Sequence, residues 1–301
     1  MNDFFYHNPV LLEESISELI TDPNGTYVDV TYGGGGHSKE ALRKLSKKGR
    51  LFAFDQDIDA KKNLIDDTRF YFINSNFKHL KKYLNHFKVC KVTGIIADFG
   101  VSSHQLEIPS RGFSVMNDGP LDMRMNQSSV LTAESIINNY EEKKIYKILK
   151  DYGQVRKASE IAKKIVSYRK IKPIKSTVGL VRVVEDSINK FSKYKTLAKI
   201  FQSFRIEVND ELAVIKQLML QASELIEFKG RMVCISYHSL EDRLIKNFIR
   251  SGSFDNKDNR DFFGNIKKPF KKIGSLLMPK VEEINKNKRA RSARMRVAEK
   301  I

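Results

Sequence analysis

Residues 31–37, with the sequence TYGGGGH, decide the fold of this chain. They directly follow residues 27–30, YVDV, a short segment typical of a buried strand. Residues 38–45, SKEALRKL, are good helix formers. Glycine adopts left-handed backbone angles and lets a ligand approach the main chain closely. Strand, glycine turn and helix therefore predict the opening of a nucleotide-type cofactor site.

A second apolar segment ends in an acid. Residues 51–54, LFAF, predict a second strand, and Asp55 follows it. An acid at the tip of the second strand, about twenty residues after the glycine turn, is placed to hydrogen-bond ribose hydroxyls. The cofactor is therefore expected to contain a ribose.

The glycine turn lacks the signatures of phosphate-binding loops. A dinucleotide fingerprint needs G-x-G-x-x-G, but Ser38 or Lys39 stands where the third glycine would fall. A triphosphate-binding loop would need Gly-Lys-Ser/Thr, which is also missing. A ribose-containing ligand without phosphate, such as S-adenosylmethionine, fits better. The alternative is a tight loop with no ligand, although four consecutive glycines are costly to order.

Composition limits the class of protein. A chain of 301 residues can form one large or two ordinary domains. It has no run of eighteen apolar residues, so no membrane span is expected, and residues 1–5 do not resemble a signal peptide. Cys90 and Cys234 are far apart, which argues against a disulfide framework, and no Cys/His spacing predicts a metal site. The expected compartment is the cytoplasm.

The formal net charge of +18 indicates a polyanionic partner. Residues 141–200 hold seventeen Lys or Arg against six Asp or Glu, and residues 286–296 hold six basic residues and no acid. Clustering of this kind favours nucleic acid over a generally lysine-rich composition. A membrane surface is the weaker option, because the tail has no apolar face. Both clusters are expected to hold RNA phosphates, unless the tail arginines pack on the domain instead.

Strand and helix patterns alternate over the first hundred residues and again after Asp210, with a purely helical pattern between them. The alternation predicts an α/β fold: a Rossmann-like sheet, mostly parallel, with helices on both faces and an inserted all-helical domain. The predicted boundaries give two halves of the sheet domain, a helical insertion for substrate recognition, and a basic C-terminal segment that packs on the domain or contacts RNA. These parts are residues 1–105 and 209–250, 106–208, and 251–301.

Ligands of open α/β sheets bind at the carboxyl ends of the strands. Asp98 follows the predicted fourth strand, beside the reactive end of a cofactor in such folds; a helix N-cap or turn residue is the alternative. His238 and Ser239 suggest a hydrolase, but a G-x-S-x-G elbow is missing. Ser239 followed by Asp242 is more typical of a capped helix start.

The sequence resembles the bacterial 16S rRNA (cytosine-N4) methyltransferase family over nearly the whole chain. Long motifs in the same order carry this resemblance. They are HNPVLL at 7–12, the glycine turn with its following serine, DFGVSS at 98–103, RGFS at 111–114, DGPLDMRM at 118–125, FQSFRIEVNDEL at 201–212, SYHSLEDR at 236–243 and RSARMRVAE at 291–299.

The resemblance implies methyl transfer from S-adenosylmethionine to the N4 amine of a cytidine in the decoding region of 16S rRNA, within the small ribosomal subunit. It implies cofactor contacts at seven residues, and of these Asp98 is the candidate catalytic residue. The seven are Gly35, Gly36, His37, Asp55, Phe77, Asp98 and Gln105. No metal is required. The sequence leaves the oligomeric state open, a homodimer included.

Departures from the family pattern are small. Phe99 replaces the usual Leu, Gly34 stands where some members carry Arg, and residues 278–280 match loosely. The chain also lacks the Asn/Asp/Ser-Pro-Pro-aromatic motif of many amino-methyltransferases, so the acceptor of the amine proton cannot be carried over from them. A non-catalytic RNA-binding assembly factor on the same fold is the alternative function, and a nicotinamide dehydrogenase comes third.

Overall fold

The computed structural model of the protein describes residues 9–255, 257–258, 260, 263–264 and 267–301. The first residues of the 7–12 motif, His7 and Asn8, and the N-terminal residues 1–5 lie outside this part. The described chain forms two compact units. The first comprises the residues up to Gly100 together with Leu212–Ile301, and the second is Val101–Glu211. Each is described by itself.

The first unit is built on one seven-stranded sheet. Its strands, in chain order, are β1 (Thr26–Asp29), β2 (Arg50–Asp55), β3 (Phe70–Asn74), β4 (Val92–Asp98), β5 (Ile226–Ser236), β6 (Phe270–Leu277) and β7 (Arg294–Lys300). The order across the sheet is β3-β2-β1-β4-β5-β7-β6. The first five strands are parallel, and β7 pairs antiparallel with both β5 and β6. The mostly parallel α/β sheet predicted from the sequence is therefore confirmed.

The α-helices surround the sheet or form the second unit. In chain order they are α1 (Leu12–Leu19), α2 (Gly36–Lys44), α3 (Leu80–His86), α4 (Ser103–Glu107), α5 (Ala133–Asn139), α6 (Glu142–Asp151), α7 (Ala158–Arg169), α8 (Thr177–Val184), α9 (Lys193–Asn209), α10 (Glu211–Leu225), α11 (Ser239–Ser251) and α12 (Val281–Lys286). Short 3-10 helices cover Ile58–Asn63, Phe77–His79, Pro109–Arg111, Glu185–Ser187, Lys190–Ser192 and Lys288–Ser292.

Apolar residues alternate between the two faces of the sheet because successive side chains of a strand point to opposite sides. In β4, Ile95 packs in a cluster with Leu80 of α3 and Ile215 of α10. Its neighbour Ile96 packs in a cluster with Ile16 and Leu19 of α1. Both faces are thus covered by helices, which is why the central strands read as continuous apolar runs.

The second unit is helical, as predicted. Buried residues of α5 to α9 meet in a core of their own. In α6 an apolar stripe at helical spacing faces this core through Ile145, Ile148 and Leu149, and Tyr152 is half-buried beside them. The predicted domain boundaries fall after residues 105 and 208, while the compact units divide after Gly100 and Glu211.

Two local sequence patterns do not form the structure that they predict. The pattern of residues 57–65 predicts a helix, but only the 3-10 turn Ile58–Asn63 forms there. Gly230 follows an amphipathic segment as a helix C-cap would, but α10 ends at Leu225 and Gly230 lies inside β5. A Cβ atom at Gly230 would come within 2.6 Å of the Thr93 carbonyl oxygen on β4, so glycine allows the close strand approach there.

The C-terminal part adds structure that the sequence did not predict. Strands β6 and β7 extend the sheet beyond β5, with Cys234 of β5 opposite Arg296 of β7. The apolar residues of β7 are buried, among them Met295 and Val297. Part of the basic tail is therefore an integral sheet strand. None of the helices in the described ranges combines the length and the apolar character that crossing a membrane requires.

Candidate active site

The carboxyl ends of the parallel strands bring the predicted polar residues of the first unit to one edge. Asp29, Asp55 and Asp98 are the last residues of β1, β2 and β4. The strand register places Asp29 opposite Ala53 and Ile96, so these ends are adjacent in the sheet. This edge is where open α/β sheets bind ligands.

The glycine turn has the backbone conformation that its sequence predicts. Gly33 and Gly35 have φ angles of +51° and +76°, in the left-handed region that favours glycine. Gly35 precedes the first residue of α2. The Gly33 N–H donates to Asp55 Oδ2 at 2.7 Å, so the turn after β1 is tied directly to the acid that ends β2.

Packing within the protein also requires two of these glycines. A Cβ atom at Gly35 would lie 2.7 Å from the Tyr32 hydroxyl oxygen, and one at Gly36 would collide with the Pro9 ring. The Tyr32 hydroxyl itself donates to the Asn63 carbonyl. Substitution at Gly35 or Gly36 would therefore distort the turn before it met any ligand, which makes it a poor test of cofactor binding.

Asp55 accepts hydrogen bonds through both carboxylate oxygens. Oδ2 accepts from Gly33 as described, and Oδ1 accepts from the Asp57 N–H at 2.8 Å. Each carboxylate oxygen can accept a second hydrogen bond, so a ribose hydroxyl fits here as a further donor. Burial raises the pKa of Asp55 to about 6, against the hydrogen bonds from Asp57 and Gly33, which lower it.

Asp29 organises the start of α2. Its Oδ2 accepts from the Ser38 hydroxyl at 2.7 Å and its Oδ1 from the Thr31 N–H at 3.0 Å. The side chain is buried, and burial raises its pKa although His37 opposes the shift. Asp29 therefore joins both ends of the glycine turn through Thr31 and Ser38. The sequence alone did not identify the pair of Asp29 and Ser38.

Asp98 is held from three sides. Its backbone N–H donates to Thr31 Oγ1 at 2.7 Å, and its Oδ1 accepts from the Tyr237 hydroxyl at 2.9 Å. His37 Nδ1 lies 4.0 Å from its Oδ2, and His37 Nε2 lies 3.2 Å from the Val10 carbonyl oxygen. Burial raises the pKa of Asp98 to about 6, while His37 and Tyr237 lower it. Asp98 does not cap a helix, because the N-cap of α4 is Ser102.

Tyr237 is the main residue of this edge to which the sequence assigned no role. It directly follows β5, and its hydroxyl reaches Asp98 from the neighbouring strand end. Burial raises its pKa well above the usual range, so it is a donor at neutral pH. The available signal was its position: a polar aromatic residue at the carboxyl end of a strand beside β4.

The two remaining predicted cofactor residues differ in position. Phe77 follows β3, is half-buried, and packs its ring against Phe99 at 6.2 Å between ring centres. Gln105 belongs to the second unit. It is buried in α4, where its N–H donates to Ser102 Oγ and its Oε1 accepts from the Ser102 N–H. A cofactor contact by Gln105 stays a prediction.

The residues that suggested a hydrolase begin a helix. His238, not Ser239, is the N-cap of α11, and Glu241 is its capping-box partner. Glu241 Oε2 accepts from the Tyr237 N–H at 2.9 Å. Asp242 binds Arg296 instead of capping. The predicted box of Ser239 and Asp242 was therefore wrong by one residue, and Ser239 is an exposed first helical residue.

The tail arginines divide into two groups. Arg296 makes a bidentate contact with Asp242, in which Nε donates to Oδ1 at 2.7 Å and Nη2 donates to Oδ2 at 3.1 Å. Arg294 adds a contact of 3.3 Å to Oδ2. Arg289 and Arg291 are exposed in the 3-10 turn before β7. Both residues of the second pair are exposed, as the RNA hypothesis requires.

The residues at this edge fit S-adenosylmethionine. The turn keeps a left-handed backbone without phosphate-binding signatures, and Asp55 presents carboxylate oxygens with remaining acceptor capacity. Together with the parallel sheet, these features define a Rossmann-like S-adenosylmethionine-dependent methyltransferase. The chain belongs to the MraW methylase family, whose family model matches residues 4–301.

Known relatives are similar over their full length. "Ribosomal RNA small subunit methyltransferase H" of Christiangramia forsetii is 50% identical over 296 residues, which cover 98% of each chain. The protein of the same name from Flavobacterium johnsoniae is also 50% identical with the same coverage. A solved rRNA methylase from Streptococcus thermophilus aligns with 96% of this chain and 93% of its own, at 12% identity and a TM-score of 0.40, a likeness that adds nothing to the argument.

Proposed function

We propose that this protein transfers a methyl group from S-adenosylmethionine to the N4 amine of a cytidine in the decoding region of 16S rRNA, within the small ribosomal subunit. Family membership across residues 4–301 carries the proposal. The names of the relatives and the net charge of +18 support an rRNA substrate. The proposed substrate places the reaction in the cytoplasm.

The chemistry requires a hydrogen-bond acceptor for the amine. The amine lone pair of cytidine is delocalised into the ring, so it must turn toward the methyl donor while its proton is accepted. The cofactor, when bound, supplies an electrophilic sulfonium methyl group. In-line placement of the two reactants provides much of the acceleration. The protein's task is therefore to orient the amine and to accept its proton.

Asp98 is the acceptor that the geometry favours. The Tyr237 hydroxyl holds one carboxylate oxygen, Oδ1, and this fixes the plane of the carboxylate. Oδ2 remains as the acceptor for an amine N–H, with His37 as its nearest charged or chargeable neighbour at 4.0 Å. With a pKa of about 6, Asp98 is ionised at neutral pH and close to the range of an effective general base.

The cofactor roles follow the same edge. Asp55 would accept hydrogen bonds from the ribose hydroxyls. The turn that contains Gly35, Gly36 and His37 would also contact the cofactor. Phe77 would contribute an apolar ring beside β3, and Gln105 would contribute from α4. The target base must leave any stack, at a cost of about a few kcal/mol, unless it is already unpaired.

The two basic regions are proposed to bind the substrate. Residues 106–208 form the substrate-recognition part, with the charge concentrated in 141–200. The tail contributes through Arg289 and Arg291, because both are exposed, whereas Arg296 is largely buried against Asp242. The RNA-binding role expected for the whole tail is therefore proposed for its exposed 3-10 turn, Lys288–Ser292.

Methyl transfer to ribosomal particles tests the proposal. Small subunits from a strain that lacks the gene would be incubated with the protein and isotope-labelled S-adenosylmethionine, and their nucleosides analysed by mass spectrometry. The expected result is labelled N4-methylcytidine at one site. Subunits from the parent strain serve as the control and should accept little label.

The alternative, a non-catalytic assembly factor on the same fold, predicts a different pair of results. Particles would bind, but no label would be incorporated, and calorimetry would detect no S-adenosylmethionine binding. Calorimetry with the nicotinamide dinucleotide in parallel tests the third candidate, a dehydrogenase. Retention of Asp55 and Asp98 in a hydrogen-bonded, partly buried network favours the enzyme.

A further inference from the structure

Two aromatic side chains of the second unit, three residues apart in sequence, are largely exposed. Phe191 lies in the 3-10 turn Lys190–Ser192 with a relative exposure of 102%, and Tyr194 in the first turn of α9 is 66% exposed. An exposed phenylalanine forgoes the favourable burial of a large apolar side chain. Nothing in the folding of the helical unit accounts for both rings lying outside.

The exposed positions form one face of α9 and the turn before it. Lys190, Phe191, Tyr194, Lys195 and Ala198 are all exposed and recur at helical spacing. The opposite face of α9 is core, with Leu197, Ile200, Phe201 and Phe204 buried. The rings therefore stand on the solvent side of a helix whose other side is anchored.

The turn that carries Phe191 is fixed in place. The Asn189 side chain accepts from the Phe191 N–H at 2.9 Å, and Ile188 just before it is buried. Lys193 Nζ bonds Glu185 Oε2 at 2.6 Å, which ties the start of α9 to the preceding turn. A rigid support lowers the entropy lost when a ligand orders the surface.

The charge around the rings has one sign. Residues 189–199 contain four lysines and no acid. Lys190 and Lys195 are exposed beside the rings, and Lys193 is the lysine paired with an acid, Glu185. Aromatic rings interleaved with lysines match the two needs of nucleic-acid strands, base stacking and phosphate neutralisation.

We infer that this aromatic-basic face, Lys190, Phe191, Tyr194 and Lys195, binds an unpaired stretch of RNA, with the rings stacking on bases and the lysines on phosphates. The inference rests on the proposed rRNA substrate and names the surface and RNA form that it uses. The strand must be single, because paired bases bury the faces on which the rings would stack.

Variants of the rings test stacking without changing charge. Phe191→Ala with Tyr194→Ala should bind a labelled single-stranded oligoadenylate of about ten nucleotides at least about tenfold more weakly, from typical stacking contributions. The slope of log affinity against log salt should stay unchanged. Lys190→Gln with Lys195→Gln should instead lower that slope by about 0.7 per lysine.

Controls separate stacking from general apolar contact and from misfolding. Phe191→Trp should keep binding, while Phe191→Leu, which keeps apolar area but loses the ring, should not. Phe228→Ala removes a ring that is 72% exposed in β5 of the first unit, and it should leave RNA affinity unchanged. Unchanged S-adenosylmethionine affinity and melting temperature confirm that the double variant is folded.

Three outcomes would overturn the inference. They are equal RNA affinity of the double variant and the parent, full binding by Phe191→Leu, and a parent dimer that dissociates on ring removal, which would make the face a contact between copies. The experiment measures RNA affinity and does not depend on catalysis. A protein that transferred no methyl group would contradict the proposed function, but its RNA affinities would still test this inference. The same RNA paired with oligouridylate should bind equally to parent and double variant.

Discussion

The Tyr237 hydroxyl donates to Asp98 Oδ1 at 2.9 Å, joining the ends of β5 and β4. The strand register places Asp98 opposite Ile235, two residues before Tyr237, so the contact follows from the sheet pairing. It holds one oxygen of the proposed amine acceptor and lowers the carboxyl pKa that burial raises. Tyr237 is therefore a positioning residue whose effect should appear in the pH dependence of the reaction.

Tyr237→Phe should move the acidic limb of the pH profile of kcat/KM upward by about one to two units. Loss of a hydrogen bond to a charged acceptor is worth about 1.5–3 kcal/mol, and one pKa unit corresponds to about 1.4 kcal/mol. The variant should lose activity most near pH 6 and regain much of it at high pH. Tyr27→Phe, which removes a buried hydroxyl bonded to the Asp22 carbonyl, is the control and should not move the limb. Superimposable profiles for Tyr237→Phe and the parent would contradict the assignment.

Asp98→Asn should abolish most methyl transfer yet stabilise the cofactor-free protein at neutral pH. The folded pKa of about 6 lies above the ordinary value of 3.8, so the parent's stability contribution from Asp98 is present below about pH 4 and is lost as pH rises through 6. Asparagine carries no charge and still accepts from Tyr237. Urea unfolding between pH 4 and 8 should show a gain on the order of 1–3 kcal/mol at pH 7 that vanishes at pH 4.

A carboxylate with the opposite shift provides the control for that experiment. Arg69 hydrogen-bonds the Asp67 carboxylate and lowers its pKa to about 2. The contribution of the Asp67 carboxylate to folding stability is present at pH values above its unfolded pKa. It is lost as the pH falls toward 2. Asp67→Asn should therefore destabilise the protein at pH 7. A pH-independent gain for Asp98→Asn would show that the buried charge is not the cause.

Asp55→Ala should weaken S-adenosylmethionine by about tenfold to a hundredfold, from the value of a hydrogen bond to a charged acceptor. Because Asp55 also holds the Gly33 N–H, part of any loss reflects the turn. A deoxyribose analogue separates the two effects in a double-mutant cycle by calorimetry. If Asp55 contacts the ribose, the analogue should lose little further affinity in the variant. Simple addition of the two losses would rule the contact out, and Asp59→Ala in the adjacent turn is the control.

The tail arginines should separate into structural and RNA-binding pairs. Arg296→Gln should lower the melting temperature, since it leaves Asp242 with a broken, largely buried ion pair whose side chains are 14% and 10% exposed. Arg289→Gln with Arg291→Gln should leave melting unchanged and lower the salt slope of particle binding by about 0.7 per arginine. The prediction is contradicted if the Arg289 and Arg291 variant lowers the melting temperature while Arg296→Gln changes only the salt slope of particle binding. Arg296 would then bind RNA, and the exposed pair would be structural.

Strong local patterns in the sequence predicted most of the fold. Alternating apolar runs and amphipathic helices determined the parallel strands and the helical insertion, because those patterns record which faces are buried. The boundary at Ile226 was missed because α10 runs directly into β5 without a turn residue between them. Strands β6 and β7 were missed because their basic and polar residues resemble a solvated tail, as Lys271 and Lys272 do.

The sequence by itself determined the glycine turn, the acids at the strand ends and the family, since each depends on residue identity at short spacing. Only the tertiary structure decided which groups act together. Tyr237 meets Asp98 across 139 positions of chain because β4 and β5 pair side by side, and Arg296 of β7 meets Asp242 of α11 across 54 positions. The physical reason is that local periodicity specifies which face of an element is buried, whereas the partner that covers a side chain depends on strand order and register.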